Sequence, residues 1–266
     1  MAEGDLFRGV ITKGVGGIYT VRYETNGSYS YALCAARGAF RLKGIKPAIG
    51  DRVTIMPSGD PDVEYVITDI EERTSFIARP PVANLSVMIL TFSVTDPEPD
   101  LTLLDKMLLV CSLRGIKPLI VFTKSDLSRD DSDRLCSVYT NAGYEVLVSS
   151  NENPLTKSDL KDIIGDGIAA LAGPSGVGKS TLCNSLLGVD AMQTGEVSAK
   201  IKRGKHPTRH VEIHEFFDGF ICDTPGFTSL SLEEQGVDYR DVLCGYPEIT
   251  SIACGCRFDD CSHRKE

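Results

Sequence analysis

Residues 1–77 contain short runs in which apolar and polar side chains alternate. Examples are GIYTVRY at 17–23, YSYALCAA at 29–36 and DRVTIM at 51–56, and glycine, asparagine and proline separate them. Alternation with a period of two, bounded by turn residues, predicts β-strands. Several short strands in succession predict a small all-β barrel, of which the OB-fold is one kind.

The pattern changes after the Arg-Pro-Pro at 79–81. Continuous apolar runs such as LSVMILTFSV at 85–94 now alternate with longer segments of helical period. Such runs are typical of buried parallel strands, and their alternation with helices predicts a parallel α/β sheet. We expect this sheet to occupy residues 78–230. Residues 231–266 are expected to form a short, partly helical tail that ends in a cysteine cluster.

Composition narrows the class of protein. No signal peptide is visible in MAEGDLFRGV, and no apolar run approaches the ~18 residues that a membrane span needs. The net charge of −9 argues against nucleic-acid binding by bulk charge but allows a local basic face. Nine cysteines, an odd number, argue against a disulfide framework. A cytoplasmic protein without a membrane partner is expected.

A phosphate-binding loop is predicted at 173–181, where GPSGVGKST follows an apolar strand and precedes a helical segment. Its glycines permit turns that aim backbone N–H groups at an anion. Lys179 is expected to contact the β- and γ-phosphates, and Ser180 to bind Mg²⁺. The motif fits GTPases, ATPases and kinases equally. The expected nucleotide-binding residues of this loop are Gly173, Ser175, Gly176, Val177, Gly178, Lys179, Ser180 and Thr181.

A second phosphate-sensing segment is DTPG at 223–226, which ends another apolar strand. Asp223 is expected to hold Mg²⁺ through water, and the Gly226 N–H to approach the γ-phosphate. The basic segment KIKRGKHPTRH at 200–210 lies between the two motifs, and its Thr208 is expected to complete the Mg²⁺ shell. The DTPG string favours a GTPase over a generic ATPase.

The base-reading segment is predicted at TKSD, residues 123–126, after the apolar strand PLIVF. The Asp126 carboxylate can accept hydrogen bonds from the ring N–H and the exocyclic amine of guanine together, whereas adenine lacks that pair of donors. The Lys124 stem is expected to pack over the base, and the Thr123 hydroxyl to tie this segment to the phosphate loop.

Ser149 and Ser150 follow the next strand, and their backbone N–H groups are expected to meet the guanine carbonyl. The base reader therefore precedes the phosphate loop, which indicates a circular permutation. Chain order matters little for binding if the carboxyl ends of parallel strands converge at one edge of the sheet.

Water placement needs a group other than the glutamine that Ras-type enzymes use, because Phe227 stands at that position. His206 is the candidate, and the alternative is that it contacts RNA or solvent. The expected catalytic residues are Lys179, His206 and Thr208. The basic segment is also a candidate RNA contact. Base stacking by barrel tyrosines is a further possibility, although the alternation places some of them in the core; these are Tyr19, Tyr23, Tyr29 and Tyr31.

The ordered set TKSD, SS, GPSGVGKST, RGKHPTRH, DTPGF and CRFDDCSH, behind a β-rich domain, resembles the circularly permuted GTPases that assist late assembly of the small bacterial ribosomal subunit. The resemblance spans nearly the whole chain. It implies an OB-fold barrel at 1–77, a permuted P-loop α/β GTPase domain at 78–230, a zinc-binding segment at 231–266, and hydrolysis stimulated by the small subunit.

Two features depart from that family. Pro207-Thr208 stands where the family usually has Thr-Thr. The zinc motif matches at Cys256, Cys261 and His263, but a fourth ligand is missing, so we expect a truncated segment. Zinc in a structural site takes four ligands, and either Cys254 or a water molecule is the candidate to complete the shell. Reduced, metal-free thiols are the alternative.

The leading hypothesis is a monomeric GTPase that hydrolyses GTP to GDP and phosphate with Mg²⁺, binds the small ribosomal subunit and its rRNA during late maturation, and leaves after hydrolysis. One alternative is a P-loop ATPase or kinase. The other is an RNA-binding module that uses the nucleotide only as a regulatory ligand.

Overall fold

The computed structural model describes residues 6–38, 40, 44–60, 63–188, 212–223, 232–233, 235–246, 249–250 and 255. Within these residues the strands form an 11-stranded sheet and a separate two-stranded hairpin. The sheet has two parts, a closed barrel and an open α/β sheet.

The barrel consists of the first five strands. They are β1 (Phe7–Val15), β2 (Ile18–Thr25), β3 (Ser28–Ala36), β4 (Arg52–Asp60) and β5 (Val63–Ile70). Their order is β1-β2-β3-β5-β4, and antiparallel pairing of β4 with β1 closes the ring. The interior is filled by apolar side chains that are at most 1% exposed, namely Ile11, Val21, Val53, Ile55 and Ile67. The predicted small barrel is therefore confirmed.

The hairpin turn between β2 and β3 follows from its sequence. Asn26 has φ 52° and Gly27 has φ 73°, so both central residues adopt the left-handed conformation. Two residues of positive φ match the right-handed twist of the flanking strands, and asparagine followed by glycine tolerates that conformation best. This turn fixes the full register from Ile18↔Ala35 to Thr25↔Ser28.

The α/β part contains the remaining strands and the helices. After the hairpin β6 (Phe76–Ala78) and β7 (Pro81–Ala83), the strands are β8 (Leu85–Ser93), β9 (Lys117–Thr123), β10 (Glu145–Val148), β11 (Ile168–Ala172), β12 (Glu212–Phe216) and β13 (Gly219–Asp223). The helices are α1 (Leu101–Leu113), α2 (Arg129–Asn141), α3 (Lys157–Ile164), α4 (Lys179–Leu187) and α5 (Tyr239–Cys244).

The order across this part is β10-β9-β8-β11-β13-β12. The first five strands are parallel, and β12 runs antiparallel to β13. The predicted parallel α/β sheet is confirmed. The hairpin β6–β7 and the strand β12 were not expected from the sequence.

Both faces of the sheet are covered. Along β8, Met88, Leu90 and Phe92 pack on one side with α1, whereas Val87 and Ile89 pack on the other side with α3 and α4. Because successive strand residues point to opposite faces, a strand buried on both faces reads as a continuous apolar run. With helices on both faces, the carboxyl edge of the strands is left for the site.

The barrel and the α/β part are joined through β12, which pairs antiparallel with β1 at Lys13↔Glu212. One buried apolar cluster also runs from the barrel interior into the sheet through Ile49, Val82 and Leu85. The proposed limits at 77/78 and 230/231 stay predictions. Of residues 251–266, which hold the expected zinc ligands, the structure describes only Gly255.

Candidate functional site

Three of the predicted motifs lie at the same edge of the sheet. TKSD begins at the end of β9, the phosphate loop follows β11, and β13 ends at Asp223. These strands are parallel, with β8 between β9 and β11, and β13 beside β11. The permuted chain order therefore leaves the base reader and the phosphate motifs close in space, as the strand-end argument predicts.

The phosphate loop depends on glycine at its first position. Gly173 has φ 141°, and a Cβ added there would lie 2.0 Å from the Thr91 carbonyl oxygen. The loop therefore passes against the backbone of β8, where no side chain fits. Gly178, with φ 95°, occupies the N-cap of α4 in the left-handed conformation. Together these residues turn the chain so that the loop caps the start of α4, which is the geometry of an anion-binding nest.

Positive charge is held within this loop. The Lys179 ammonium donates to the Gly173 carbonyl at 2.7 Å and also to the Pro174 carbonyl. Ser180, in the first turn of α4, is exposed. Backbone donors, a helix N-terminus and an ammonium suit a polyphosphate, and a neighbouring hydroxyl suits Mg²⁺. The residues present therefore fit a nucleotide with its magnesium ion.

A cavity of ≈ 410 Å³ lies beside the phosphate loop. This volume is in the range of small-molecule sites. It is lined by Thr123, Lys124, Asp126, Leu127, Ser149, Ser150, Asn151, Pro154, Gly178, Thr181, Leu182 and Ser185. All five residues predicted to bind the base meet two residues of the phosphate-loop motif here. Asp126 is exposed, so its carboxylate is accessible to a ligand.

The base-reading segment is tied to its surroundings. The Thr123 hydroxyl lies 2.5 Å from the Val177 carbonyl oxygen, which is the link to the phosphate loop that the sequence predicts. Lys124 adopts φ 56°, and its ammonium donates to the Asp96 carbonyl in the loop after β8. The Ser125 N–H donates to the Ser149 carbonyl at 3.3 Å. The two segments predicted to bind the base therefore support each other.

The backbone donors expected to meet the guanine carbonyl are already engaged. The Ser149 N–H donates to the Phe122 carbonyl at 2.9 Å, and the Ser150 N–H donates to the Asn153 carbonyl at 3.1 Å. The Ser150 hydroxyl in turn accepts from the Asn153 N–H at 2.9 Å. In this structure both serines shape the loop after β10. A guanine carbonyl bound by either N–H would have to replace one of these hydrogen bonds.

Five lining residues were not predicted. They are Leu127, Asn151, Pro154, Leu182 and Ser185. Leu182 and Ser185 belong to α4, and Ser185 follows Thr181 by four residues, so both polar side chains lie on one helical face. That spacing was the signal available in the sequence. Leu127 directly follows TKSD, whereas nothing local marks Asn151 and Pro154, which reach the cavity through the pairing of β10 with β9.

Several predicted residues lie outside the described part of the chain. They are His206, Thr208, Gly226, Cys254, Cys256, Cys261 and His263, and for Asp223 only the backbone is described. Among the described residues no group of three or more His, Cys, Asp or Glu side chains is arranged to hold a metal ion. In that same part of the chain, every helix is too short or too polar to cross a membrane.

The four barrel tyrosines divide into two pairs. Tyr19 is 9% exposed and belongs to the core, and Tyr23 packs against Phe7 and Tyr65 with ring centroids 5.3 and 5.4 Å away. A hydrogen bond with Tyr65 raises the pKa of Tyr23 to about 12. Tyr29 and Tyr31 are exposed, yet both contact charged side chains. Burial argues against base stacking by Tyr19, and the rings of Phe7 and Tyr65 already pack against the half-buried Tyr23.

Comparison with known proteins gives consistent matches. The sequence model described as RsgA GTPase matches residues 70–233, and the RsgA N-terminal domain model matches residues 8–62. Two similar proteins, from Clostridium novyi (strain NT) and Clostridium kluyveri (strain NBRC 12016), are each called small ribosomal subunit biogenesis GTPase RsgA. The first is 39% identical over 261 residues, which cover 97% of this chain and 87% of that protein. The second is 39% identical over 262 residues, covering 97% and 88%.

Solved structures agree with the sequence matches. The crystal structure of YloQ, described as a circularly permuted GTPase, superimposes with a TM-score of 0.78 at 32% identity, covering 100% of this chain and 87% of that one. The crystal structure of YjeQ from Thermotoga maritima gives 0.77 at 26% identity, covering 98% and 88%. The likeness spans the barrel and the α/β part together.

Proposed function

The chain belongs to the RsgA GTPase family, and from this membership we propose that it hydrolyses GTP on the small ribosomal subunit during late maturation of that subunit. It is a GTP hydrolase, and the subunit is the proposed partner. One observation supports the partner most: relatives named for small-subunit biogenesis match 97% of the chain, so the likeness includes both the barrel and the nucleotide site. We propose that the GTP form binds the subunit and its rRNA, and that the GDP form leaves.

Guanine selection is assigned to the 410 Å³ cavity. The exposed Asp126 carboxylate accepts from the ring N–H and the exocyclic amine of the base. The Lys124 stem covers one face of the base, and the Thr123 hydroxyl fixes the distance to the phosphate loop. Adenine offers no donor pair to this carboxylate, which is the physical ground for rejecting ATP.

Phosphate binding is assigned to the loop before α4. Lys179 contacts the β- and γ-phosphates, and the exposed Ser180 hydroxyl binds Mg²⁺. Asp223 and Thr208 are the other proposed residues of the Mg²⁺ site. When bound, Mg²⁺ neutralises charge that develops on the phosphate oxygens. Further nucleotide contacts come from Gly173, Ser175, Gly176, Val177, Gly178, Thr181 and Gly226.

Hydrolysis requires a group that orients the attacking water. His206 is proposed for this role because it stands in the basic segment beside Thr208 and because a phenylalanine follows Gly226. The support is from sequence alone. Turnover of a His206→Ala protein, with and without small subunits, tests it: undiminished stimulated turnover would remove His206 from the mechanism.

Zinc binding is a separate part of the proposal. Cys256, Cys261 and His263 are the proposed ligands, with Cys254 as the fourth, and a closed four-ligand site would stabilise residues 231–266. Metal content measured on purified protein, before and after treatment with a chelator, tests this. We further propose a cytoplasmic monomer, for which sedimentation of the purified chain is the test.

The decisive experiment compares GTP turnover with purified small subunits, with large subunits and with neither. Stimulation by the small subunit alone supports the proposal, and equal turnover in all three refutes the partner. Equal use of ATP and GTP would favour the P-loop ATPase alternative, and nucleotide binding without phosphate release would favour the RNA-binding module.

A variant of Asp126 serves as an internal control for base recognition. In Asp126→Asn the side chain presents one acceptor and one donor, which match xanthine, whose 2-position carries a carbonyl. We expect GTP turnover to fall by on the order of 100-fold or more and XTP turnover to appear. Recovery with XTP shows that the variant is folded. Unchanged GTP preference would remove Asp126 from the base site.

A further inference from the structure

The hairpin formed by β12 and β13 connects the two segments assigned to γ-phosphate sensing. The strand β12 begins two residues after the basic segment 200–210, and β13 ends at Asp223, the first residue of DTPG. Glu212 pairs with Asp223 at the open end of this hairpin. A displacement of either segment therefore acts first on the same two strands.

One side chain of the barrel contacts both strands of this hairpin. Arg22, on β2, is 7% exposed. Its guanidinium lies 3.2 Å from a carboxylate oxygen of Glu215 on β12 and 4.1 Å from the ring centroid of Phe220 on β13. Glu215 and Phe220 are cross-strand partners, so Arg22 contacts the two strands at the same level.

Two tyrosines of β3 complete the contact. The Tyr31 hydroxyl donates to the Glu215 carboxylate at 2.7 Å, and the Tyr29 ring lies 4.1 Å from the Arg22 guanidinium. The hydrogen bond from Tyr31 and the charge of Arg22 hold the pKa of Glu215 below its ordinary value. Burial and the bond to Glu215 raise the pKa of Tyr31 to about 12. The carboxylate is thus fixed in its charged, hydrogen-bonded form.

This arrangement tolerates little movement. A nearly buried guanidinium is stable only while its acceptor and its aromatic faces stay in place, because an uncompensated buried charge is costly. The adjacent pairing of β1 with β12 at Lys13↔Glu212 adds a backbone link. The hairpin and the strands β2 and β3 must therefore move together or break this contact.

We propose that Arg22 is a positioning residue that couples the nucleotide state of the two phosphate-sensing segments to the barrel through Glu215 and Phe220. The inference rests on the proposed function, because the ligand whose binding is coupled to the nucleotide through the barrel is the small subunit. Coupling between two sites is reciprocal, so the same contact makes the subunit's affinity depend on the nucleotide and lets the bound subunit bias the site.

The test measures state discrimination, defined as the ratio of the small-subunit dissociation constants of the GDP form and the form with a non-hydrolysable GTP analogue. We expect Arg22→Gln to reduce this ratio by at least about fivefold. Unstimulated turnover and the affinity for GDP should stay at the wild-type level. Glu215→Ala, which changes a half-exposed residue, should give the same loss, and the double variant should lose no more than either single one.

Arg52→Gln is the matched control. Arg52 is an exposed arginine of β4, and it lines the same surface cavity of the barrel as Arg22. The substitution removes one positive charge from the same barrel, as Arg22→Gln does. If Arg52→Gln reduces the ratio of dissociation constants as much as Arg22→Gln, the effect is a general attraction of the barrel to rRNA, and the inference is overturned.

A second measurement does not use the subunit. Backbone hydrogen exchange of β2 and β3 should differ between the GDP and GTP-analogue forms of the wild type, and the difference should disappear in Arg22→Gln and in Glu215→Ala. Wild-type discrimination that persists in both variants refutes the coupling alone. If the wild-type protein binds the small subunit equally well in its GDP and GTP-analogue forms, the proposed function is refuted. The hydrogen-exchange data then test the coupling separately, and equal exchange of β2 and β3 in the two nucleotide forms overturns it.

Discussion

The hydroxyl of Thr123 is predicted to hold the base-reading segment in register with the phosphate loop. Thr123→Val replaces this hydroxyl by a methyl group of nearly the same size, so the steric change is small. The side chain is buried at 6% exposure, and its oxygen lies 2.5 Å from the Val177 carbonyl oxygen and 3.2 Å from that of Phe92. After the substitution the Val177 carbonyl, in a residue 1% exposed, loses this donor.

The magnitude follows from that loss. Leaving one buried carbonyl without its donor costs about 1–3 kcal/mol. We expect the free energy of unfolding to fall by this amount in a urea titration. The nucleotide must also restore the alignment of the two segments when it binds, so the dissociation constant for GDP should rise by about fivefold or more.

Thr91→Val provides the comparison. Thr91 is likewise a buried threonine, on β8, but its hydroxyl lies 3.5 Å from the Ile89 carbonyl within its own strand, so this hydrogen bond does not join two segments. We expect it to affect stability less and GDP affinity hardly at all. The reasoning is refuted if Thr123→Val and Thr91→Val lower GDP affinity equally, or if Thr123→Val changes neither quantity.

Three further substitutions test the site and its support. Gly173→Ala adds about 1–3 kcal/mol of backbone strain and a clash with the Thr91 carbonyl, so we expect a GDP titration to show that nucleotide binding is lost. Gly188→Ala introduces backbone strain without a clashing neighbour and should bind GDP normally. Equal losses of GDP affinity in the two variants would contradict the argument from close approach. Leu182→Ala removes a side chain 4% exposed from the cavity wall and should cost about 2–5 kcal/mol in urea unfolding, whereas a cost below about 1 kcal/mol would mean that the wall collapses freely. Glu215→Gln tests the pH dependence of stability. The pKa of Glu215 in the folded protein lies below its ordinary value of 4.5, so the ionised carboxylate stabilises the fold at pH values above 4.5. This contribution is lost as the pH falls through the folded-state pKa. The stability gap between wild type and Glu215→Gln should therefore be present at neutral pH and close as the pH falls through the folded pKa, and a gap that widens on acidification would contradict the assigned sign.

The parts of the fold that sequence predicts are those whose burial is complete. The strand β11 is buried along its whole length and β8 and β9 along most of theirs, because helices cover both faces, so their apolar runs were unambiguous. The phosphate loop was equally clear, since Gly173 and Gly178 are fixed by backbone geometry that other residues cannot adopt. In both cases the constraint is local to the segment that carries it.

What sequence did not predict depends on partners distant in the chain. Period-two alternation cannot say which face of a barrel strand is inside, and the closure of β4 on β1 places Tyr19 in the core and Tyr23 against it. The Ser149 N–H is engaged because the pairing of β10 with β9 extends one step beyond β10, where this N–H donates a hydrogen bond to the Phe122 carbonyl. The strand β12 was missed because its five residues gain their pairing only from β13 and β1.

The permuted order also determines what the DTPG segment is attached to. On one side it continues β13, which the barrel holds through Arg22 and Phe220. On the other side the chain reaches a tail that is docked on α1: the Tyr246 hydroxyl donates to the Asp105 carbonyl at 3.0 Å, and a Cβ on Gly245 would lie 2.0 Å from a Leu109 methyl carbon.

The two attachments differ in packing: Gly245 lies against Leu109 without room for a side chain, whereas the Arg22 contact is half open to solvent at Glu215. Under the proposed coupling, a shift of the DTPG segment on loss of the γ-phosphate is carried by the β12–β13 hairpin, because DTPG begins at the last residue of β13. The hairpin is itself anchored in the core by Ile213, Phe220 and Cys222, so a shift that it carries reaches the barrel through the contact with Arg22.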